Sequence, residues 1–559
     1  MGDYRPRRRH GSSGRQTAGP QAGAGTASGD RAGREPDSSG APKRGTPGRN
    51  RPARPADPRR TAYDVLAAVR DRAAYANLLL PRLLADRKLT GRDAALATEL
   101  AYGTLRGQGT YDAVLTPCSD RPLEKLDPPV LDVLRLGAHQ LLSTRVGAHA
   151  AVATSVDLAR SVAGPRVSGY VNAVLRRVAT RDLDAWLGIV APDPRTDPDG
   201  NLATRYSHPR WIVAAYRAAL GDAAGHPAPE TAPAGAPVGP AVTAGASGRG
   251  DHAAEAAEEG PAVGAGVTEL EAALAAGNAR PRVTLAAFPA GPPRDEIMPA
   301  GAEPGRWSPY AFTLAGGDPA PLVESGAAAV QDEGSQLAVL ALSRAPVTPR
   351  AGEGGDQPER WLDMCAGPGG KARLLYGLAA ERGALLTAAE LHPHRAALIR
   401  DALATAGRHV PGEPPPFEVL VADGTRPPWP AGTFDRVLVD APCTGLGALR
   451  RRPEARWRKT KADLPELTAL QRDLLRSALA AVRPGGVVAY VTCSPVPAET
   501  SDVVAAVVAS TPGTEVMDAP VVLRDVPGVC ALDRRFAQLW PHRHGTDAIF
   551  IALLRRAAS

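Results

Sequence analysis

Asp363-Met364-Cys365-Ala366-Gly367-Pro368-Gly369-Gly370-Lys371 is the stretch on which the reading of the chain turns. It follows a short strand-like run, Trp361–Met364, and opens a helical segment. A glycine-rich turn before a helix sets backbone N–H groups and the positive end of the helix dipole against a ligand, and a carboxylate suits such a site as well as a phosphate. It is not a G-x-x-x-x-G-K-[ST] phosphate loop, because the first glycine would fall on Cys365 and the hydroxyl residue on Ala372. It also lacks G-x-G-x-x-G, which disfavours a dinucleotide.

Outward from this loop, after Gln331, strands and helices alternate. The strand candidates are Trp361–Met364, Leu385–Leu391, Phe417–Ala422, Phe434–Val439, Val487–Thr492 and a late one at Ala548–Leu553. Alternation predicts a mostly parallel sheet covered on both faces, with ligands at the carboxyl ends of its strands. Four acids stand at four successive strand ends: Asp363, Glu390, Asp423 and Asp440. An acid at the second strand end accepts ribose hydroxyls. The set suits adenosine joined to an amino acid, that is, S-adenosylmethionine; any one of these acids alone would read as a cap or turn residue.

Two cysteines close neighbouring strands, in Asp440-Ala441-Pro442-Cys443-Thr444-Gly445 and in Val491-Thr492-Cys493-Ser494-Pro495. A lone cysteine is more often a small buried hydrophobe, the reading kept for Cys118 and Cys530, and Cys365 is expected to pack inside the loop rather than react. Two thiols beside a methyl donor suggest chemistry on a poor carbon nucleophile such as carbon 5 of a pyrimidine. A thiolate adding to carbon 6 makes carbon 5 enamine-like; a base later removes the carbon-5 proton and the thiol leaves. Asp440 is placed to hydrogen-bond the ring nitrogen or exocyclic amine. The residues alone do not choose which thiol attacks.

The rest of the 559-residue chain narrows the class. Residues 1–60 hold 13 Arg and one Lys against five acids, so the net charge of +7 resides in a tail and the remainder is slightly acidic. Arg outnumbers Lys 60 to 6, which with abundant Ala, Gly and Pro reflects codon bias more than binding. Residues 1–59 lack aliphatic side chains and are expected to be disordered, either a phosphate-seeking tether or a solubilising extension. From Thr61 helical periodicity runs through Val65, Leu66, Val69, Leu78, Leu79, Leu83 and Leu84, then Leu96–Leu105, Val130–Leu142, Ala150–Val162 and Tyr170–Val178, an all-α unit. A helical connector follows, then an acidic low-complexity insertion at 222–275 with eight acids and one Arg. Five cysteines with no C-x-x-C pair exclude a disulfide scaffold and argue against zinc, and His542 and His544 lack ligand spacing, so no metal is expected. No apolar run reaches the length of a membrane span, and a soluble cytoplasmic protein is expected.

At these residues the chain resembles the RsmB (Fmu, Sun) family of 16S rRNA cytosine-C5 methyltransferases, within the RsmB/NOP group. The resemblance is carried by DMCAGPGGK (363–371), DAPCTGLGALRRRPEARW (440–457) and VTCSPVPAET (491–500), with VQDEGSQL (330–337), YSHPRW (206–211) and HGTDAIFIALLRR (544–556). The helical unit, ending in GYVNAVLRRV (169–178), resembles the NusB-like RNA-binding domain fused to that family. The basic tail (1–59) and the acidic insertion (222–275) are read from composition and lie outside the family pattern; for the rest the resemblance implies an α + α/β chain: a NusB-like domain (60–182), a connector (183–221), a small α/β RNA-binding subdomain (276–330) and a Rossmann-like methyltransferase domain with a mostly parallel seven-stranded sheet (331–557). It implies Cys493 as nucleophile and Cys443 as the thiol assisting product release, with Asp440 beside the base. It implies Cys365, Ala366, Gly367, Pro368, Gly369, Gly370, Lys371, Glu390, Asp423 and Asp440 as the S-adenosylmethionine site.

Two positions depart from the family. Gly367 stands where many relatives have Ala, a change expected to be harmless, and Glu390 replaces the commoner Asp. Arg450, Arg451, Arg452, Arg456 and Trp457 follow the Pro-Cys motif directly and are expected to grip RNA, the alternative being a solvated helix with Trp457 as its core anchor. A base must leave its stack to reach the thiols, which favours unassembled or partly assembled small-subunit rRNA as partner of a monomeric enzyme. The alternatives are a tRNA enzyme of the same chemistry, a non-catalytic RNA-binding or assembly factor, and a small-molecule methyltransferase.

Overall fold

The computed structural model describes residues 57–221, 268–349 and 357–558. The basic tail, apart from residues 57–59, and the acidic insertion up to residue 267 lie outside the described residues.

The amino-terminal half is helical. Its helices are Pro58–Arg72, Ala76–Asp86, Gly91–Cys118, Pro128–Ser143, Ala148–Ala163 and Ser168–Val178. The first starts where Asp57 accepts the backbone N–H of Arg59, an N-cap followed directly by Pro at the first helical position. The anticipated apolar stripes meet in one core of Val65, Leu66, Leu100, Leu105, Val114, Leu115, Val133, Leu134, Val171, Val174 and Leu175. Leu78 departs from the expected stripe and faces solvent, because its short helix turns Ala76 and Leu80 inward instead.

The connector helices Leu183–Val190, Pro198–Arg205 and Arg210–Leu220 lead toward the second half. The insertion was expected to run loose to residue 275, but Glu269–Ala276 is a helix. Thr268 caps it in a reciprocal box with Glu271, and Leu270 and Leu274 pack against Ile212, Val213 and Tyr216. The 276–330 region then carries a small antiparallel sheet ordered Glu303–Pro304, Ala311–Thr313, Thr284–Ala287, Ala328–Val330.

The catalytic half is built on β1 (Arg360–Asp363), β2 (Leu385–Glu390), β3 (Phe417–Val421), β4 (Phe434–Asp440), β5 (Val482–Thr492), β6 (Thr514–Met517) and β7 (Phe550–Arg556). Their order across the sheet is β3-β2-β1-β4-β5-β7-β6, with the two-residue strand Ala537–Gln538 also pairing β7. The first five are mutually parallel, β7 runs antiparallel to β5, and β6 antiparallel to β7. β4 is buried through Val439, as befits a strand covered on both faces, with Asp435 and Arg436 the charged residues of that buried run. Leu337, Leu340, Leu374 and Leu375 pack in one of the cores flanking the sheet, and Leu474, Leu475, Leu479, Val503 and Val507 in another. The sequence did not reveal β6, whose four residues, three half-covered and Glu515 exposed, carry no period strong enough to separate from a loop. The strand order reverses between β1 and β4, so the crevice of such a sheet opens there, at the carboxyl ends.

Candidate active site

The glycine-rich loop leaves β1 at that reversal. It is pinned to both neighbouring strands, Met364 N–H donating to Leu438 O (2.9 Å) and Ala366 N–H to Ala389 O (2.9 Å). Gly369 has φ +110°, a left-handed conformation that favours glycine, and immediately precedes the helix Gly370–Glu381. Gly367 meets a different demand. A Cβ there would stand 2.8 Å from Arg395 Nε and closer still to Glu390 Oε2. Gly367 and Glu390 are therefore one feature: the Glu390 arm occupies the space that a Cβ at residue 367 would need.

Three of the four acids, Asp363, Glu390 and Asp440, stand against this loop, while Asp423 bonds within its own turn after β3. Asp363 is fully buried, neither of its oxygens completes a hydrogen bond, and burial followed by the nearby Asp440 charge raises its carboxyl to about 7. Glu390 accepts His392 N–H at 3.0 Å and pairs with Arg395 at 3.4 Å. Asp423 Oδ1 accepts both the backbone N–H (2.9 Å) and the hydroxyl (2.7 Å) of Thr425, which lowers its carboxyl. Asp440 accepts Lys371 Nζ at 2.7 Å. Burial opposes the charge on Lys371, yet Asp440 outweighs it and holds the ammonium above its ordinary value.

Cys443 and Cys493 meet on the same rim. Their sulfur atoms are 3.4 Å apart, and both residues are partly open rather than sealed. The surroundings of the pair are unequal. Cys493 is lowered by the hydrogen bond with the Cys443 thiol, against burial and Asp440, with Lys371 and Arg452 adding positive charge. Cys443 is raised by that same bond, then by burial, then by the charges of Cys493 and Glu499. The surroundings thus favour the charged form at Cys493 over Cys443. Cys365 is different: burial and then the acids Asp363, Asp440 and Glu390 push its thiol well up, which makes it inert.

The basic stretch after the Pro-Cys motif requires correction. Arg450 and Arg451 do not face solvent; both pair with buried Asp332 (2.8 and 2.5 Å) and Asp547 (2.7 and 3.1 Å). Arg456 is 0 % exposed, and its guanidinium donates to Ser207 O (2.9 Å), Asn278 Oδ1 (2.7 Å) and Gly277 O (3.3 Å). Burial lowers it to about 9. Trp457 packs on the backbone at Gly109 of the helical half, as the core anchor of the alternative reading. The reason is internal demand: this stretch fills the seam between the two halves, and its cations satisfy buried acids and carbonyls there. Of the five residues, Arg452 alone is exposed, with its guanidinium 5.4 Å from the Tyr75 ring of the helical half.

Sequence reasoning counted Asp363 among the four strand-end acids but not among the residues assigned to the donor site, and it missed Glu499. The latter lies inside the quoted VTCSPVPAET, but nothing in the string marks it as buried. Among the described residues no cluster of His, Cys, Asp and Glu could hold a metal, and no helix is long and apolar enough to cross a membrane.

Comparison with known proteins gives the same two-part division. A family profile described as 16S rRNA methyltransferase RsmB/F matches residues 355–555, and one described as the NusB family matches 56–180. The ribosomal RNA small subunit methyltransferase B of Pseudomonas putida is 30% identical over 474 residues, covering 83% of this chain and 91% of that protein. A Mycobacterium tuberculosis protein whose name suggests a methyltransferase is 46% identical over 507 residues, covering 90% and 97%. The crystal structure of PH0851 superposes with a TM-score of 0.66 at 20% identity, covering 89% of this chain and 99% of that one, a likeness of fold.

Proposed function

Because the chain belongs to the 16S rRNA methyltransferase RsmB/F family, we propose that it methylates carbon 5 of a cytidine in small-subunit ribosomal RNA through a covalent Cys493–cytosine adduct. The observation that carries this reading is the 3.4 Å thiol pair beside the Lys371–Asp440 bridge at the carboxyl ends of β4 and β5.

The methyl donor is S-adenosylmethionine, which when bound supplies an electrophilic methyl group on a sulfonium. The residues fit it. Asp363 is a buried carboxyl without a completed hydrogen bond, suited to a cationic partner, and the cradle at Gly367 has no room for a Cβ. Residues 365–371, Glu390, Asp423 and Asp440 would hold the donor, with Glu390 suited to the ribose hydroxyls.

Cys493, the thiolate of the pair, adds to carbon 6 of the cytosine: a sulfur–carbon bond forms and the carbon 5–carbon 6 electron pair shifts onto carbon 5. Asp440 keeps one oxygen on Lys371 and offers the other to the exocyclic amine, stabilising the charge that develops in the ring. Once carbon 5 carries its methyl group, a base removes the carbon-5 proton, the ring double bond re-forms and Cys493 departs as thiolate. Cys443, already touching Cys493, assists that departure.

The helical half and the 276–330 subdomain would supply RNA-binding surface, with the enzyme acting as a cytoplasmic monomer on unassembled or partly assembled rRNA. The test uses a labelled methyl donor with naked 16S rRNA, mature small subunits and tRNA. Cys493→Ala is expected to lose turnover, and Cys443→Ala to accumulate a gel-stable RNA adduct. The opposite pattern would exchange the two roles. Unaffected methyl transfer in both variants would overturn the covalent mechanism, and labelling of tRNA alone would overturn the substrate.

A further inference from the structure

One carboxylate ties the two cysteine loops together. Glu499 is 0 % exposed and ends the single turn Pro497–Glu499. Its Oε1 accepts the backbone N–H of Thr444 (2.7 Å) and Gln471 Nε2 (3.2 Å). Its Oε2 accepts the hydroxyls of Thr444 (2.5 Å) and Ser494 (2.6 Å). Thr444 directly follows Cys443 and Ser494 directly follows Cys493. Tyr490 of β5 donates to the Glu499 backbone carbonyl at 2.8 Å, and Gln471 also donates to Pro442 O at 2.8 Å.

We propose that Glu499 is a positioning residue that sets the separation of the two thiols and selects Cys493, rather than Cys443, as the nucleophile. Four hydrogen bonds to one rigid carboxylate fix the loops relative to each other, and a buried anion acts at full strength because little water screens it. The charge distribution is lopsided. Cys443 feels Glu499; Cys493 feels Lys371 and Arg452 against Asp440. A negative charge on the Cys443 side keeps its proton in place, and the thiolate forms across the gap. This inference rests on the reading of Cys493 as nucleophile, but its main test, thiol labelling, needs neither RNA nor methyl donor.

The experiment follows iodoacetamide labelling of each cysteine in the full chain by peptide mass mapping, from pH 6.5 to 9.5. The wild type is expected to label Cys493 at least about tenfold faster than Cys443 near neutral pH. Glu499→Gln keeps the shape; the Thr444 and Ser494 hydroxyls turn to accept from the new amide, so the loops stay packed. Without the charge, the preference is expected to fall below about threefold, with Cys443 becoming faster. A Gln variant that keeps the wild-type preference overturns the proposal. Should that variant fail to fold, Ser494→Ala removes one of the four bonds and keeps the charge. It is expected to lower kcat about tenfold with the KM for RNA within about twofold, and an unchanged kcat overturns the positioning role. Thiol selection that depends on Glu499 in a protein inactive on every RNA would sink the proposed function and leave this inference standing. The reverse result would sink this inference alone.

Discussion

Replacing Gly367 by Ala is expected to damage donor binding, and shortening Glu390 to Asp is expected to repair it. The added Cβ would press on the Arg395 guanidinium at 2.8 Å and overlap Glu390 Oε2. Glu390 cannot swing aside cheaply. It is 4 % exposed, held by His392 N–H and Arg395, and its own carbonyl accepts Ala422 N–H at 3.1 Å. Forcing one carbon into a packed site costs about 1–3 kcal/mol. At roughly 1.4 kcal/mol per factor of ten, donor affinity should fall about 5- to 150-fold. Glu390→Asp withdraws one methylene and clears the space, so the double variant should bind within about threefold of Glu390→Asp alone. Calorimetric titration of all four proteins with S-adenosylhomocysteine closes the cycle. Wild-type affinity in Gly367→Ala, or a double variant no better than Gly367→Ala, would refute the argument.

Other outcomes follow from the same geometry. The Asp363 carboxyl is raised from 3.8 to about 7 in the fold, so the folded protein holds a proton between these values that the unfolded chain releases, and stability falls as pH climbs through that window. Asp363→Asn should therefore raise the thermal midpoint at pH 8 by roughly 2–4 °C per kcal/mol relieved, with no comparable gain at pH 4, while weakening donor binding; scanning calorimetry at the two pH values measures it. Arg456→Met should cost about 3–5 kcal/mol in urea unfolding, because Ser207 O, Gly277 O and Asn278 lose their buried donor; a change under about 1 kcal/mol would show that water replaces it. Arg452→Ala should reduce the salt dependence of RNA binding by about one ion without altering stability, whereas Arg450→Ala should destabilise the fold; filter binding across a salt series, with melting curves, separates the two.

Much of the catalytic half could be read in the string because its signals are local. The glycine loop, the acids at strand ends and the two cysteine motifs each sit where a strand stops, and strand stops are marked by turn residues. The helical half was visible through its 3.6-residue stripes, with Leu78 misread because one apolar residue on a short helix does not say which face packs. The arginines after Cys443 were misread for the converse reason. Their partners, Asp332, Asp547, Ser207 and Asn278, lie far off in the chain, so nothing nearby reveals that these cations are consumed inside. Glu499 escaped on the same ground: a buried carboxylate is recognised by its donors, and those arrive from three different segments.

The seam filled by residues 450–458 makes the helical half part of the catalytic rim's foundations. Arg458 reaches the carbonyls of Val69 and Ala74, and the backbone of Ala76 donates to Glu454. Lifting the helices away would strand a guanidinium, an indole and a carboxylate in the segment that follows the Cys443 loop. The catalytic sheet cannot therefore be pared down to a minimal enzyme by trimming at the domain border.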